Sequence, residues 1–223
     1  MAGMTVDQPM KKGAMMRAWK NAISKTNNRP VLENVHFDKL GFAVATDSHV
    51  LLRIDGANPT GQGFNLDLQR LTVQKDGDGA PAFPDTSRLM PTSYDIEIKA
   101  PVTGCLGNLI PMLKGLKKGT LVHMTNDPDT PEHLYFETQP GGGDKAEFTP
   151  MKADLTVESL GGTSTEIDIT LNAQYLLNCL GFFKDWEEAH RTPGLTILYN
   201  GTLRPLLFKS EQASYLITPV RIY

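Results

Sequence analysis

Single helical segments separated by runs of short strands are the feature that most constrains the fold of this chain of 223 residues. At about 100° per residue, Met15, Trp19 and Ile23 fall on one side of a first helix, and Arg17 and Lys20 fall on the other. A parallel α/β sheet would need one strand per helix, whereas antiparallel runs between single helices are typical of an α+β fold. The helical patterns cover residues 15–23, 102–116 and 173–183.

The first part of the chain reads as a helix followed by a meander. Asn27, Asn28 and Pro30 favour the end of the first helix, because the residue before proline avoids helical geometry. Turn signals dominate residues 56–91, where a short helix is predicted at 66–73 and a linker at Phe83–Pro91. Strands are predicted at 31–37, 41–46 and 50–54.

The second part repeats this organisation, so we expect two domains, residues 1–91 and 92–223. Pro111 is expected to kink or split the second helix, and Asn172 to cap the third. Gly141 to Gly143 are expected to form a flexible tip. Strands are predicted at 94–99, 121–125, 134–138, 145–149, 154–158, 166–170, 195–199, 206–209 and 215–222.

The charge is unevenly distributed, although the net charge is only −3. The stretch from Met10 to Pro30 has several basic residues and no acidic one. Basic helical surfaces of this kind bind phosphates without reading base sequence, but any surface helix can also carry such charges. The candidate DNA-binding residues are Lys11, Lys12, Arg17, Lys20, Lys25, Arg29, Lys114, Lys117 and Lys118.

Other functional classes find little support in the sequence. No apolar stretch reaches the roughly 20 residues of a membrane span, and no signal peptide is recognised, so a cytoplasmic location is expected. Cys105 and Cys179 are expected to be core residues. No metal site or cofactor is predicted, because the histidines lack metal-ligand spacing and no Walker-type glycine loop is present. No catalytic residues are predicted, because the adjacent Asp47, Ser48 and His49 cannot form a catalytic triad.

Three segments resemble the bacterial DNA polymerase III beta subunit, the DNA sliding clamp. RPVLENV at positions 29–35 leads to ATDSHVL at 45–51, similar to a strand pair ending in A-T-D-[GS]-H-R-L. FPDTSRLMP at 83–91 is similar to F-P-D-x-x-R-x-x-P between domains, and the helix at 175–180 and the strand at 215–222 are similar to the last domain. The resemblance is to a shortened form that lacks the first of three domains, as expected of a phage or mobile-element relative.

The resemblance implies a non-catalytic processivity factor that tethers a DNA polymerase or other replication or repair factors to double-stranded DNA, and that is placed there by a clamp loader. A pocket for partner peptides is implied at the matched positions. Those residues are Thr46, Ser48, His49, Val50, Leu51, Pro84, Leu89, Leu216, Ile217, Thr218, Pro219, Val220 and Arg221.

The assembly implied by the resemblance is a ring of six domains, which two-domain chains would close as a head-to-tail homotrimer. One departure from the family pattern works against this ring, because the stretch between Asp55 and Phe83 is too short for the usual second helix with its strands. A second departure concerns a contact with the partner peptide, since Val50 replaces the arginine of the motif. The alternative is a monomeric clamp-like adaptor that binds partner peptides without encircling DNA.

Overall fold

The computed structural model describes residues 10–25, 29–77, 79, 82–141, 148–162, 166–191 and 194–221. Within these residues the chain forms three α-helices and 14 strands, all paired in an antiparallel manner. The elements are α1 (Lys12–Ala22), β1 (Asn34–Phe37), β2 (Ala43–Thr46), β3 (Val50–Ile54), β4 (Phe64–Asp67), β5 (Thr72–Lys75), β6 (Ile96–Lys99), α2 (Leu109–Lys114), β7 (Leu121–Asp127), β8 (Thr130–Gln139), β9 (Lys152–Thr156), β10 (Ser159–Gly162), β11 (Asp168–Asn172), α3 (Ala173–His190), β12 (Thr196–Tyr199), β13 (Leu206–Ser210) and β14 (Ala213–Ile217).

Two sheets carry these strands, in the orders β10-β6-β12-β13-β14-β3-β2-β1-β4-β5 and β11-β7-β8-β9. The larger sheet is continuous across the middle because β3 pairs with β14, with Val50 opposite Ile217 and Leu52 opposite Tyr215. The strand pairing therefore joins the part of the chain before the predicted linker to the part after it. The division into two domains stays a prediction.

The three helices pack side by side, with α3 between α1 and α2. We call the sheet face under this helix layer the inner face. The main core lies between the helices and the sheets, and it contains the buried side chains of Trp19, Leu52, Phe183 and Tyr215. Full burial of side chains of this size contributes about 1.5–3 kcal/mol each, so this core is the main source of stability.

A smaller core lies on the opposite face, which we call the outer face. Strand alternation explains the division, because Val50 and Leu52 enter the main core while Leu51 between them enters the outer cluster. Phe83 and Met90 of the predicted linker pack against this cluster. Its buried members are Phe42, Val44, Leu51, Leu198, Leu207 and Leu216.

Most of the predicted elements are confirmed, and so is the α+β class. Helix α3 begins as predicted, because the Asn172 side chain accepts hydrogen bonds from the N–H groups of Gln174 and Tyr175. It continues beyond residue 183 to His190. Cys105 and Cys179 are both buried, as predicted.

The helix predicted at 66–73 is wrong, since this segment forms the hairpin β4–β5. The Asp67 carboxylate accepts hydrogen bonds from the N–H groups of Gln69 and Arg70, and this turn competes successfully with a helix. The bond from Arg70 is also the main reason that the pKa of Asp67 lies below its ordinary value. Leu71 completes the turn with a φ of 55°.

The second predicted helix is shorter than its apolar pattern, and Pro111 does not split it. The break precedes Leu109, where residues 106–108 form a 3-10 turn. Gly107 fits there because an added Cβ would lie 2.5 Å from the Val102 carbonyl oxygen. Pro111 lies in the first turn of α2, where a backbone N–H has no partner inside the helix.

The remaining differences concern strands. Residues 30–33 form a 3-10 turn in place of the start of a strand, and β14 ends at Ile217. Strand β10 was not predicted, because its sequence SLGG has no alternating pattern. A strand was also predicted at 145–149. Residues 145–147 lie outside the described residues, and residues 148–149 are not in a strand. Residues 142–143 of the predicted glycine tip also lie outside the described residues.

Candidate functional site

The turn between β2 and β3 is set by its own side chains. The Asp47 carboxylate accepts hydrogen bonds from the N–H groups of His49 and Val50, both at 2.8 Å. Thr46 Oγ1 donates to the Val50 carbonyl at 2.6 Å, and Ser48 has a left-handed φ of 80°. The sequence ATDSHVL therefore builds a rigid turn that exposes Ser48 and His49.

The C-terminal stretch is fastened to this turn. The His49 carbonyl accepts hydrogen bonds from the N–H of Thr218 at 2.9 Å and from its Oγ1 at 3.1 Å. Further along, the N–H of Val220 donates to the Thr170 carbonyl at 2.8 Å. Two of the three segments that predicted the peptide pocket are thus neighbours in space.

The side chain of His49 is 65% exposed and lies where the turn meets the C-terminal stretch. Its ring stacks on Tyr175 of α3, with 6.0 Å between the ring centroids. Burial raises the pKa of Tyr175 to about 12, and the nearby charge of Asp47 and a hydrogen bond to Asp47 act in the same direction. Tyr175 therefore stays a neutral donor that holds the turn against the first turn of α3.

The linker supplies the third segment. Phe83 stacks on His36, with ring centroids 4.8 Å apart, and this contact anchors the start of the linker to β1. Asp85 then accepts a hydrogen bond from the N–H of Ser87 at 3.0 Å. Pro84 is exposed and Leu89 is 52% exposed, so both are accessible to an apolar ligand.

The structure brings some of the predicted pocket residues together. Leu51 and Leu216 lie side by side in the outer cluster, next to the turn at Thr46, Ser48 and His49. Val50 and Ile217 point into the main core instead, because neighbouring residues of a strand face opposite sides. Thr218, Pro219 and Val220 are half-buried in the C-terminal tail, and Arg221 is exposed.

Sequence reasoning missed several residues of the same surface. Phe42, Val44, Leu198 and Leu207 complete the outer cluster, and Arg53 Cζ lies 4.0 Å from the centroid of the Phe42 ring. The alternation in residues 42–46 was a signal for Phe42 and Val44. Nothing local identifies Leu198 and Leu207, because only the sheet order brings β12 and β13 to this place.

A groove of about 450 Å³ lies on the helix layer, where α1, α2 and α3 meet. Two predicted DNA-binding residues, Arg17 and Lys114, line it, together with Lys184 of α3. Acidic residues line it as well, namely Asp185 and Glu188. Arg17 forms a 2.7 Å ion pair with Asp185, so the groove has mixed charge.

The other predicted DNA-binding residues fall in three places. Lys11, Lys12, Lys20 and Lys25 are exposed along α1 and its ends, and Lys117 and Lys118 are exposed in the turn after α2. Arg29 lies apart from both groups, because its Nη1 donates a 3.2 Å hydrogen bond to Ser48 Oγ. It belongs to the turn that carries the candidate peptide site.

Buried Glu187 fixes the segment before α2 to α3. Its carboxylate accepts hydrogen bonds from the N–H of Val102 at 2.9 Å, and from the N–H and the hydroxyl of Thr103 at 2.8 and 2.9 Å. A carboxylate with only 3% exposure requires such partners. The contact sets the position from which α2 presents Lys114.

Within the described part of the chain, no group of three or more histidine, cysteine, aspartate or glutamate side chains could hold a metal ion. None of the described helices is long and apolar enough to cross a membrane.

The arrangement of helices on antiparallel sheets is the fold of the bacterial DNA sliding clamps. The DNA polymerase sliding clamp from Bacillus subtilis superposes with a TM-score of 0.70 and 19% identity, over 94% of this chain and 62% of its own. The beta chain of DNA polymerase III from Streptococcus pneumoniae gives 0.69 and 20%, over 94% and 62%. The beta subunit from Pseudomonas aeruginosa gives 0.69 and 17%, over 93% and 64%.

The chain therefore spans less than two thirds of the length of these clamps. No protein-family model and no curated protein matches the sequence. At this level of identity the superpositions establish the fold, and the shortened form expected from the sequence agrees with the coverage.

Proposed function

We propose that this protein is a non-catalytic tether that holds a DNA polymerase, or another replication or repair factor, on double-stranded DNA. The observation that supports this most is the placement of the two candidate surfaces. The basic helix layer covers the inner face of the ten-stranded sheet, and the apolar cluster under the linker lies on its outer face. Both ligands can then bind at the same time.

The inner surface suits contacts with the DNA backbone. Lys114, Lys117 and Lys118 form an exposed group at the end of α2, and exposed lysines also extend along α1. Lysines of this kind bind phosphates as mobile point charges, which positions a duplex without reading its sequence. Asp185 and Glu188 in the groove lower the local positive charge, so the expected binding is weak and strongly dependent on salt.

The outer surface suits a short peptide with apolar anchors. Pro84 and Leu89 are exposed in the linker, whose Phe83 and Met90 pack against the outer cluster, and His49 and Arg29 provide polar groups at the turn. A concave apolar surface with a few fixed polar groups at its edge captures an anchor and defines its direction. From the resemblance, the peptide carries a glutamine and spaced leucine and phenylalanine residues.

The test measures the two ligands on one set of variants. Fluorescence anisotropy with a labelled duplex reports DNA binding, and calorimetry reports binding of the peptide. The variant Lys114→Glu/Lys117→Glu/Lys118→Glu should lose DNA binding and keep peptide binding. The matched control reverses three exposed lysines away from the helix layer, Lys39→Glu/Lys75→Glu/Lys209→Glu, and should retain both. Equal DNA binding by both variants would contradict the assignment of the inner surface.

The second candidate is a clamp-like adaptor that binds partner peptides without DNA. The ion pair between Arg17 and Asp185 favours it, because this pair neutralises one of the two α1 and α2 cations in the groove. Wild-type protein that binds the peptide but no duplex at low salt would select the adaptor over the tether. If the wild-type protein binds neither the peptide nor the duplex, both candidate functions are wrong.

A further inference from the structure

Two rows of side chains cross the outer face of the ten-stranded sheet side by side. Residues that lie directly opposite each other in neighbouring strands face the same side of a sheet, so the strand registers define both rows. The first row is apolar and belongs to the outer cluster: Leu198, Leu207, Leu216 and Leu51, from β12 to β3. The second row, which we call the polar row, lies two residues away along each strand: Lys99, Thr196, Lys209, Ser214 and Arg53, from β6 to β3.

The two rows differ in their exposure. The leucines of the apolar row are buried, and Phe83 and Met90 of the linker pack against the outer cluster. In the polar row, Lys99 and Lys209 are exposed. Because Thr196 lies directly opposite both lysines, on the strand between them, their Cα atoms are about 10 Å apart. One carboxylate placed above Thr196 can therefore contact both ammonium groups.

The charges of these two lysines are not neutralised by contacts within the described part of the chain. Arg53, the third cation of the polar row, bonds to Asp55 at 2.7 and 2.8 Å and lies over the ring of Phe42. No carboxylate of the described residues lies within ion-pair distance of Lys99 or Lys209. Two positive charges of the polar row are therefore available to an anionic group from outside.

Two glutamates close to Lys99 in the sheet have other contacts. Glu97 faces the same side as Lys99, and it accepts a hydrogen bond from the Tyr94 hydroxyl, which is the main reason that the pKa of Tyr94 lies above its ordinary value. Glu158 precedes the residue opposite Lys99, so strand alternation directs its side chain to the other side of the sheet. There, burial and then the charge of Glu158 raise the pKa of Cys105.

A cavity of about 360 Å³ adjoins the polar row where β6 meets β10. Lys99, Ser159 and Tyr94 contribute side chains to its lining, and Gly161 contributes backbone. Gly161 lies directly opposite Glu97, and a Cβ added to it would meet no atom within 4 Å. The missing side chain at position 161 therefore leaves the cavity open without being required by the packing of the sheet.

We propose that Lys99, Thr196, Lys209 and the adjoining cavity bind an acidic segment of the partner protein, beside the apolar motif that binds at the outer cluster. One carboxylate lies above Thr196 between the two lysines. The next side chain on the same side of an extended segment follows at about 7 Å and enters the cavity. This inference rests on the proposed function, because it extends the peptide site of the outer face, and it specifies carboxylates next to the apolar anchors of the partner.

The position of the polar row favours a partner protein over DNA. The helix layer, which carries most of the candidate DNA-binding residues, covers the inner face, whereas Lys99 and Lys209 lie on the outer face. The two rows are also continuous, since Leu198 of the outer cluster and Thr196 are two residues apart on one face of β12. A partner segment that covers the outer cluster therefore has the two lysines beside it, and carboxylates are the protein groups that form charge-assisted hydrogen bonds with lysine.

The polar row is within reach of a peptide bound at the turn between β2 and β3. Val50 lies at the end of that turn, opposite Ile217 of β14. Lys209 lies opposite Ser214 of the same strand. Three residues along the strands and two strands across give about 14 Å between the Cα atoms of Val50 and Lys209. About five extended residues are therefore sufficient to connect the apolar motif to the acidic segment.

The experiment compares three labelled peptides by fluorescence anisotropy. The first is the motif alone, with its glutamine, leucine and phenylalanine residues. The second and third carry in addition a flexible spacer of about five residues and a short run of glutamates or of glutamines, placed at either end of the motif. At low salt the wild type should bind the glutamate peptide about fivefold more tightly than the glutamine peptide for at least one of the two placements, and high salt should remove the difference.

Variants locate the preference for glutamate. Lys99→Gln/Lys209→Gln should remove it and leave the affinity for the motif alone unchanged, which also shows that the variant is folded. The matched control Lys39→Gln/Lys75→Gln changes two exposed lysines elsewhere and should keep the preference. Gly161→Leu should fill the cavity and weaken binding of the glutamate peptide only.

A further control addresses the basic helix layer, which can also attract glutamates. The variant Lys114→Glu/Lys117→Glu/Lys118→Glu should keep the preference, because these lysines are at α2 and in the turn that follows it. A preference that is lost in this variant and retained in Lys99→Gln/Lys209→Gln would overturn the proposal.

The outcomes separate this inference from the proposed function. If the motif alone binds and the glutamate and glutamine peptides bind equally, the acidic subsite is wrong and the peptide site stands. If the motif alone does not bind, the peptide site is wrong, and the run of glutamates without the motif then tests the lysines directly. Its binding to the wild type should exceed its binding to Lys99→Gln/Lys209→Gln about fivefold at low salt, and equal binding would overturn the subsite as well.

Discussion

The inner face of the ten-stranded sheet lies under the helix layer, in which α1 and α3 contact its strands, whereas the outer face is covered by a few residues around Phe83 and Met90. The inner face gains its stability from a large core that includes Trp19, Leu52 and Tyr215. The outer cluster is small and is covered by linker residues. A linker can be displaced or extended at a low cost in free energy. We infer that the inner face holds the fold together and the outer face is suited to exchange partners.

The largest effect expected from this comparison is on stability. Leu51 and Leu52 are neighbours in β3 that enter the outer and inner cores, with 2% and 0% exposure. Leu52→Ala should lower the free energy of unfolding by about 4 kcal/mol and Leu51→Ala by about 2 kcal/mol, because the outer site can collapse under the linker. Urea denaturation measures both, and equal losses would remove the distinction between the faces.

A smaller loss of stability is expected where the inner layer depends on a buried charge. Glu187→Gln replaces one acceptor oxygen of the carboxylate that holds Val102 and Thr103, and should cost about 2 kcal/mol. The control Glu188→Gln changes an exposed neighbour and should stay within about 0.5 kcal/mol of the wild type. Thermal denaturation compares the stability of the two variants. If Glu187→Gln is as stable as the wild type, α2 is held in place by apolar packing alone.

Many of the elements that form the two faces could be predicted from the sequence. The amphipathic α1, the capped α3 and the strand β3 follow local rules of periodicity and capping, and the motifs around Asp47, Pro84 and Thr218 indicated the outer surface. Leu198, Leu207 and Lys184 were missed because their positions depend on the sheet order and on helix packing. The hairpin at 66–73 was missed because an apolar spacing compatible with a helix concealed the turn that Asp67 stabilises.

A more local effect is expected at the linker. Phe83→Ala removes the stack on His36 and one cover of the outer cluster. Since the inner core is untouched, we expect a stability loss of only about 1 kcal/mol. Peptide affinity should fall at least tenfold, because Pro84 and Leu89 lose their fixed position. Calorimetry checks this, and unchanged affinity would remove the linker from the peptide site.

The smallest expected effect comes from the ionisation of Tyr175, and it cannot be observed at neutral pH. The pKa of Tyr175 is raised from 10.0 to about 12, so the folded state favours the neutral phenol. Its contribution to stability is complete below pH 10 and is lost as the pH rises towards 12. Burial also raises the pKa of Tyr215, so ultraviolet titration should show Tyr175 and Tyr215 ionising late, and Tyr175→Phe should remove only the part of the late phase near pH 12. A Tyr175→Phe titration identical to that of the wild type would contradict the burial of the Tyr175 hydroxyl beside Asp47.

The proposed function requires that the two faces bind two ligands at once. The most direct test is the dissociation constant of a labelled clamp-binding peptide, measured by anisotropy without DNA and with saturating unlabelled duplex. Sites on opposite faces predict the same constant, within about twofold, in both titrations, together with a larger rotational size when DNA is present. Displacement of the peptide by DNA, or the absence of a ternary complex at saturation, would contradict the proposal that the two ligands bind on opposite faces.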